Sequence, residues 1–170
     1  TGFLALCNSN LPNTGFNADE DEQPNDYFDI LKYNGNSAND SSGSTQNITG
    51  LNFEPDWIWV KNRDTDETDH RIVDSTRGEQ KTLYKNLTSV ENAEGDGTHG
   101  ITSFTAASSD GAGGFAVGQH TGFNKDGDDF VAWCWKINGG STASTTATGT
   151  TAATTMQRNT TAGISMVKYV

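Results

Sequence analysis

Cations, cysteine, proline and long apolar runs are all scarce in this chain. Lys and Arg number 11 against 22 Asp and Glu, a formal net charge of -11, with a pI near 4.4. Such a surface repels phosphate backbones, which argues against nucleic-acid binding. It favours solubility, is compatible with cation binding and suits a salt-tolerant or marine setting. No stretch approaches the roughly 20 apolar residues of a membrane-spanning helix, so no membrane insertion is expected. A starting Met, a charged n-region and an h-region are missing, so no signal peptide is visible. The opening Thr1-Gly2-Phe3 reads as a processed or partial chain. Two cysteines, Cys7 and Cys134, define no disulfide framework. Cys134 lies in the apolar stretch Phe130-Val-Ala-Trp-Cys-Trp135 and reads as a small buried hydrophobe, a bridge to Cys7 being the alternative.

What the chain has is glycine, 19 residues of it in 170, with hydrophobic residues at only 32%. That combination predicts short elements joined by many turns. Residues 1–26 read as a connector from an upstream domain, dominated by Asn, Asp, Glu, Gly and Pro and carrying the acidic run Ala18-Asp-Glu-Asp-Glu22, a solvated loop. Residues 27–137 read as the folded body. Tyr27–Tyr33 is strand-like and ends at Asn34-Gly35, and Asn36 to Thr45 is loop by composition. Trp57-Ile-Trp-Val-Lys61 alternates, both tryptophans facing one way and Ile58 and Val60 the other. Arg71–Asp74, Ile101–Thr105 and Phe115–Val117 are further short strands. In Phe130–Lys136, the residues Phe130, Ala132 and Cys134 share one face; Val131, Trp133 and Trp135 share the other. A strand apolar on both faces belongs in the middle of a covered sheet.

No segment has sustained helical periodicity. The expected fold is all-β, an antiparallel β-sandwich of jelly-roll or concanavalin A-like type with long loops. Residues 138–159 read as a Thr/Ala/Gly-rich linker. Ile164-Ser-Met-Val-Lys-Tyr-Val170 then echoes Phe28-Asp-Ile-Leu-Lys-Tyr-Asn34. Residues 160–170 are therefore read as the first strand of a second, truncated repeat. The alternative is a lone terminal strand that pairs with the first sheet.

Three ordered motifs carry a family resemblance. Glu54-Pro-Asp-Trp-Ile-Trp-Val-Lys-Asn-Arg63 resembles the P-D-hydrophobic-W-I-K-N-R signature of a repeat domain in virion proteins of tailed, often marine, bacteriophages. Arg71-Ile-Val-Asp-Ser-Thr-Arg-Gly78 resembles the D-S-x-R-G segment that follows it there, and Asp128-Asp-Phe-Val-Ala-Trp-Cys-Trp-Lys136 its closing Y-V-A-W-C-W-K. Thr1–Pro12 is similar to the segment that leaves an upstream SPRY-like or concanavalin A-like domain. The resemblance implies a tail-fibre, tail-associated or head-decoration protein on a virion surface, with other virion proteins as partners. It also implies a homo-oligomer, a trimer being the habit of phage fibres. It supplies no catalytic residues.

The residues have a physical reading of their own. Pro55 cannot donate to a ladder and suits a strand start. Arg77 is placed to pair with a carboxylate such as Asp74. Trp57, Trp59, Trp133 and Trp135 offer large packing surfaces, with the core as their default place. A pair facing solvent would instead stack on sugar rings, making these four the candidate ligand-binding residues for a host surface glycan. His70, His99 and His120 lack metal spacing and read as surface loop residues. Gly95-Asp-Gly-Thr-His-Gly100 fits G-x-G-x-x-G, but an acidic stretch precedes it and a β-like segment follows, so it reads as a turn.

Asn124, Asp126, Asp128 and Asp129 cluster oxygens around a glycine in a manner compatible with Ca²⁺, although the ligand order is not that of an EF-hand. A tight turn between strands is the simpler explanation. Asp64-Thr-Asp-Glu-Thr-Asp69 is a similar cluster. The sequons at Asn39, Asn47, Asn86 and Asn159 are expected from an Asn- and Thr-rich composition. No G-x-S-x-G is present, and a pair of carboxylates is uninformative among 22 acids. Three functions therefore compete: a non-enzymatic structural or adhesion module of a virion, a carbohydrate-binding module, and, third, a polysaccharide hydrolase.

Overall fold

The computed structural model describes residues 23–36, 45–93, 99–109, 111–144, 146 and 154–169. A single 3-10 turn (Pro24–Asp26) leads into β1 (Phe28–Asn34), followed by β2 (Gln46–Leu51), β3 (Trp57–Asn62), β4 (Arg71–Asp74), β5 (Lys81–Tyr84) and β6 (Asn92–Ala93). Then come β7 (Ile101–Thr105), β8 (Gly113–Val117), a one-turn helix α1 (Thr121–Asn124) and β9 (Asp129–Trp135). Three strands close the series: β10 (Ala143–Ser144), β11 (Thr154–Asn159) and β12 (Ile164–Tyr169).

Every strand pairing among the described residues is antiparallel. A six-stranded sheet has the order β1-β9-β3-β4-β5-β6, and a three-stranded sheet the order β2-β8-β7. The expected all-β sandwich is what these two sheets form. One hydrophobic core joins them. Ile58, Val60, Val73, Phe130, Ala132 and Cys134 come from the larger sheet; Ile48, Leu51, Ile101, Phe115 and Val117 come from the smaller. Phe53 and Phe123, from outside the strands, complete it. Side chains of this size each contribute about 1.5–3 kcal/mol when fully buried, so the core carries most of the stability.

The period-2 pattern explains why these strands sit as they do. In β9 the residues Phe130, Ala132 and Cys134 are buried while Val131, Trp133 and Trp135 are half-buried, the alternation predicted above. β9 lies between β1 and β3, central as expected, but its Val131–Trp133–Trp135 face, expected to be covered, is only half-buried. In β8 the pair Gly113-Gly114 allows close approach: a Cβ at Gly113 would meet the carbonyl of Phe53, and one at Gly114 the carbonyl of Ile48.

Two differences from the expected organisation stand out. β10 and β11 lie within residues 138–159, the stretch read as a linker. Threonine is β-branched and accepts the extended backbone readily, so a partner strand suffices to organise it. That partner is β12, and β10-β11-β12 form a third sheet. β12 is a strand, as expected, but it pairs with β11 rather than joining the first sheet. Its likeness to β1 does not extend to environment. Leu31 packs against the core, whereas the matching Val167 is 47% exposed. The third sheet meets the body through Gln157, which is buried and donates from Nε2 to the hydroxyls of Ser75 (2.8 Å) and Thr76 (2.9 Å).

Candidate functional site

Strand register places all four tryptophans on one surface. Across the six-stranded sheet, Phe28 lies opposite Trp135 and Trp135 opposite Trp57. In the next row Ile30 lies opposite Trp133, Trp133 opposite Trp59 and Trp59 opposite Ile72. The rings touch in sequence, with centroids 4.8 Å apart for Phe28–Trp135, 4.5 Å for Trp57–Trp135 and 4.8 Å for Trp59–Trp133. All three pairs are tilted, between 38° and 44°. This is the outer face, turned away from the core, and its tryptophans are half-buried by one another. Phe28 and Ile30 at the edge are 37% and 45% exposed.

The default expectation of tryptophans in the core is thus corrected. Four phenylalanines (Phe53, Phe115, Phe123 and Phe130) already fill the interior. The tryptophans instead form, with Phe28 and Ile30, a contiguous apolar surface on the outer side of the large sheet.

Polar groups fix the rim at the Trp59 end. The Trp59 indole Nε1–H donates to Nδ1 of His70 (3.0 Å), which assigns the His70 proton to Nε2. The Lys85 ammonium stands 4.8 Å from the Trp59 ring centroid, within cation–π range. Lys61 donates to the carbonyls of Thr68 (2.5 Å) and Thr65 (3.4 Å). Burial lowers the His70 pKa below the ordinary imidazole value, and Lys61 and Lys85 lower it further, against the pull of Asp69. His70 is therefore part of this rim, whereas His120 lies elsewhere, at the start of α1, where its Nδ1 accepts the N–H of Gly122 (2.9 Å) and its ring meets Phe123. Both lie in loops and are half-buried, in keeping with their reading as surface loop residues.

The oxygens of the cation candidate do not converge. Asn124 is buried and exchanges hydrogen bonds with Asn36. Asp126 is exposed. Asp128 accepts from Asn62 Nδ2 (2.7 Å), Thr65 Oγ1 (3.0 Å) and Lys125 Nζ (2.9 Å). The bonds from Asn62 and Lys125 hold its pKa below the usual carboxylate value. Asp129 pairs with Arg63 (3.6 Å). Lys125 thus supplies the positive charge that a cation would bring. A tight turn is the role this geometry gives the segment, with Gly35 packed so closely on Lys125 that a Cβ there would overlap its carbonyl. In the second acidic cluster, Asp64 accepts the N–H of Asp129 (2.6 Å) and Asp69 the amide of Asn86 (2.9 Å). Among the described residues no group of three or more His, Cys, Asp or Glu side chains is arranged to hold a metal ion.

Sequence reasoning missed Asp56. It is fully buried, and its carboxylate accepts from Ser75 Oγ (2.6 Å) and from the N–H groups of Ile137 (2.6 Å), Gly139 (2.9 Å) and Gly140 (2.7 Å). The signal was its place between Pro55 and the alternating strand, together with Asn138-Gly139-Gly140, whose glycines leave N–H groups open to approach. Arg77 does pair with Asp74, and also with Glu91 (3.7 Å). Burial raises the Asp74 pKa, although the N–H and guanidinium of Arg77 and the N–H of Thr76 pull it down. Cys134 is a free, buried thiol whose pKa burial raises far above the ordinary value; Cys7 lies outside the described residues.

Most of the G-x-G-x-x-G segment lies outside them too. Strand β7 follows it directly where a dinucleotide site would need a helix. Among the described residues no helix is long and apolar enough to cross a membrane.

No curated protein and no solved structure matches the chain. One family model does match, over residues 23–170, a span that takes in the sandwich, the Thr-rich stretch and the third sheet together. The chain therefore belongs to the family described as a domain of unknown function (DUF7483).

Proposed function

We propose that this chain is a non-enzymatic structural and adhesion module of a bacteriophage virion, carried on a tail or capsid surface, and that its tryptophan face meets carbohydrate on the host cell. The observation that carries this reading is the outer row of Trp57, Trp59, Trp133 and Trp135, continued to the sheet edge by Phe28 and Ile30. Indole rings are large, stiff and amphipathic. They lose little conformational entropy on binding and suit a partner that is apolar on one side and wet on the other, as a sugar ring is. A sandwich fold alone would license no such function; the aromatic surface is what supports this reading.

The virion part rests on the three motifs. Two of them, at residues 54–63 and 128–136, supply all four tryptophans, and the third, at 71–78, holds Ser75, which bonds Asp56. The segments that carry the resemblance are therefore the ones that build the surface.

The test is adsorption competition. Excess purified chain is added to host cells with phage, and free phage is counted over time. Slower adsorption with the native chain, and none of that effect with Trp57→Ala/Trp133→Ala, supports the reading. Unchanged adsorption, with no retention of the chain on the cells, sinks it and leaves a spacer or decoration role.

A further inference from the structure

A sheet accepts another chain at its edge strands, and most edges of this molecule are guarded. At β1, Asp29 and Gln46 occupy backbone groups of Ile30 and Asn34. β6 and β10 are two residues long. β2 and β7 carry register breaks, between Thr49 and Leu51 and between Ile101 and Ser103, which bend an edge away from a newcomer. β12 has none of these devices. Its six residues pair with β11 without a break, and they include no Pro, Asp or Glu. Among the described residues no side chain bonds its backbone and no strand lies on its far side.

The sheet behind β12 is short of strands. With β10 so brief, β11 and β12 amount to a hairpin, and a hairpin alone is marginal in water. Residues opposite one another on antiparallel strands share a face. Gln157 lies opposite Met166 and bonds to Ser75 and Thr76, so that face meets the body. The other face turns outward and carries the row Ala143–Met156–Val167. Val167, at the open end of the row, is 47% exposed. Charge favours the same place. All 22 acids precede residue 130, so the third sheet holds none, and its charges are Arg158 and Lys168. Two copies at -11 each repel where their acidic bodies meet and least where these sheets meet.

We propose that β12 pairs with β12 of a second copy, antiparallel and about a two-fold axis through Val167, joining two three-stranded sheets into one of six strands. This register sets Val167 beside its own counterpart. The rows Ala143–Met156–Val167 of the two copies then run into each other, and the exposed end of each is closed. Lys168 falls beside Met166 of the second copy, which keeps the two ammonium groups out of direct opposition. The same strand is used by both partners, so assembly stops at the dimer; a trimer would need a different surface.

Sedimentation equilibrium of the whole chain, from about 1 to 200 µM, tests this. One strand pair is a small interface, so a micromolar dissociation constant is expected, with the mass rising from 18.2 kDa towards twice that value. Raising NaCl to about 0.5 M should tighten the dimer, because it screens the repulsion between two acidic bodies. Val167→Lys sets like charges on the axis and should weaken the dimer at least about ten-fold, with circular dichroism as the check on folding. Val167→Cys in a Cys7→Ser background decides the matter should the lysine variant fail to fold. Mild oxidation should link its two thiols into a dimer that a reductant parts, Cys134 being buried. A chain that stays monomeric throughout, a dimer that Val167→Lys leaves intact, or a cysteine variant that forms no link would each overturn the proposal. Assemblies beyond two that salt dissolves would overturn it as well, and would mean that the acid-free sheet of one copy sits on the acidic body of the next.

Discussion

Four donors converge on the Asp56 carboxylate, three of them backbone N–H groups from the segment that leaves β9. Charge-assisted bonds of this kind are about twice as strong as neutral ones, and unmaking them strands buried donors. Asp56→Ala is expected to cost more than about 3 kcal/mol, read from the urea midpoint. Asp56→Asn is the sharper test. Its amide would aim an N–H₂ at N–H groups that need an acceptor, so it should be nearly as damaging; native-like stability would refute this account.

His70 offers a second residue-scale test. Its folded pKa is lowered, chiefly by burial, so the unfolded chain binds the proton more tightly. Stability is then full above the ordinary imidazole value of about 6.5 and is lost as pH falls from there through the folded value. The urea midpoint should drop between about pH 7.5 and 5.5, with a shift in tryptophan emission as Trp59 loses its acceptor. His70→Gln, whose carbonyl still accepts the indole N–H, should flatten that step.

Strand β1 is an edge of the large sheet, and edges invite pairing with other chains. Here Asp29 Oδ1 accepts the N–H of Ile30 (2.7 Å), and Gln46 Nε2 donates to the Asn34 carbonyl (3.0 Å). Both occupy backbone groups that a foreign strand would use, and Asp29 adds a charge. Asp29→Ala should promote self-association, visible as rising light scattering with concentration, while monomer stability changes little. Within the small sheet, Gly114→Val should cost about 3 kcal/mol or more, because the added carbons meet the Ile48 backbone rather than a side chain that can turn aside.

The same element scale shows what could be read from sequence. β1, β3, β4, β7, the end of β8, and β9 were legible because aromatic and β-branched residues recur along them. β2 was not, since Gln46-Asn-Ile-Thr-Gly-Leu51 has two apolar residues three apart, with a glycine between them that spoils the alternation. β5 is only four residues long and β10 two. β11 has Met156 as its one large apolar residue and owes its order to pairing with β12, which local pattern cannot report. Periodicity found which residues share a face with Trp57 and with Trp133. It could not say that both faces turn the same way, or that this way is outward, because strand register decides the first and the filling of the core the second.

On the scale of the whole molecule, Gln157 ties the third sheet to the sandwich through Ser75 and Thr76. Gln157→Leu keeps the volume and removes both hydrogen bonds. Hydrogen exchange of residues 154–169 should quicken, while amides of β3 and β9 keep their protection. Equal quickening in both regions would mean that the third sheet is integral to the body's stability rather than attached to it. The tryptophan face, by contrast, belongs to the sheet centre and should keep its emission in this variant.

β9 is late in the chain and central in the sheet, paired on one side to β1 and on the other to β3. During synthesis β1 and β3 leave the ribosome with their shared partner still unmade, some 70 residues before β9 follows β3. The sheet can close only when that strand arrives, and the closure is long-range, which makes folding slow. Until then the tryptophans of β3 and the core faces of both waiting strands are bare. A cell producing this chain must therefore shelter them, or outrun their aggregation, through the time the ribosome takes to reach residue 135.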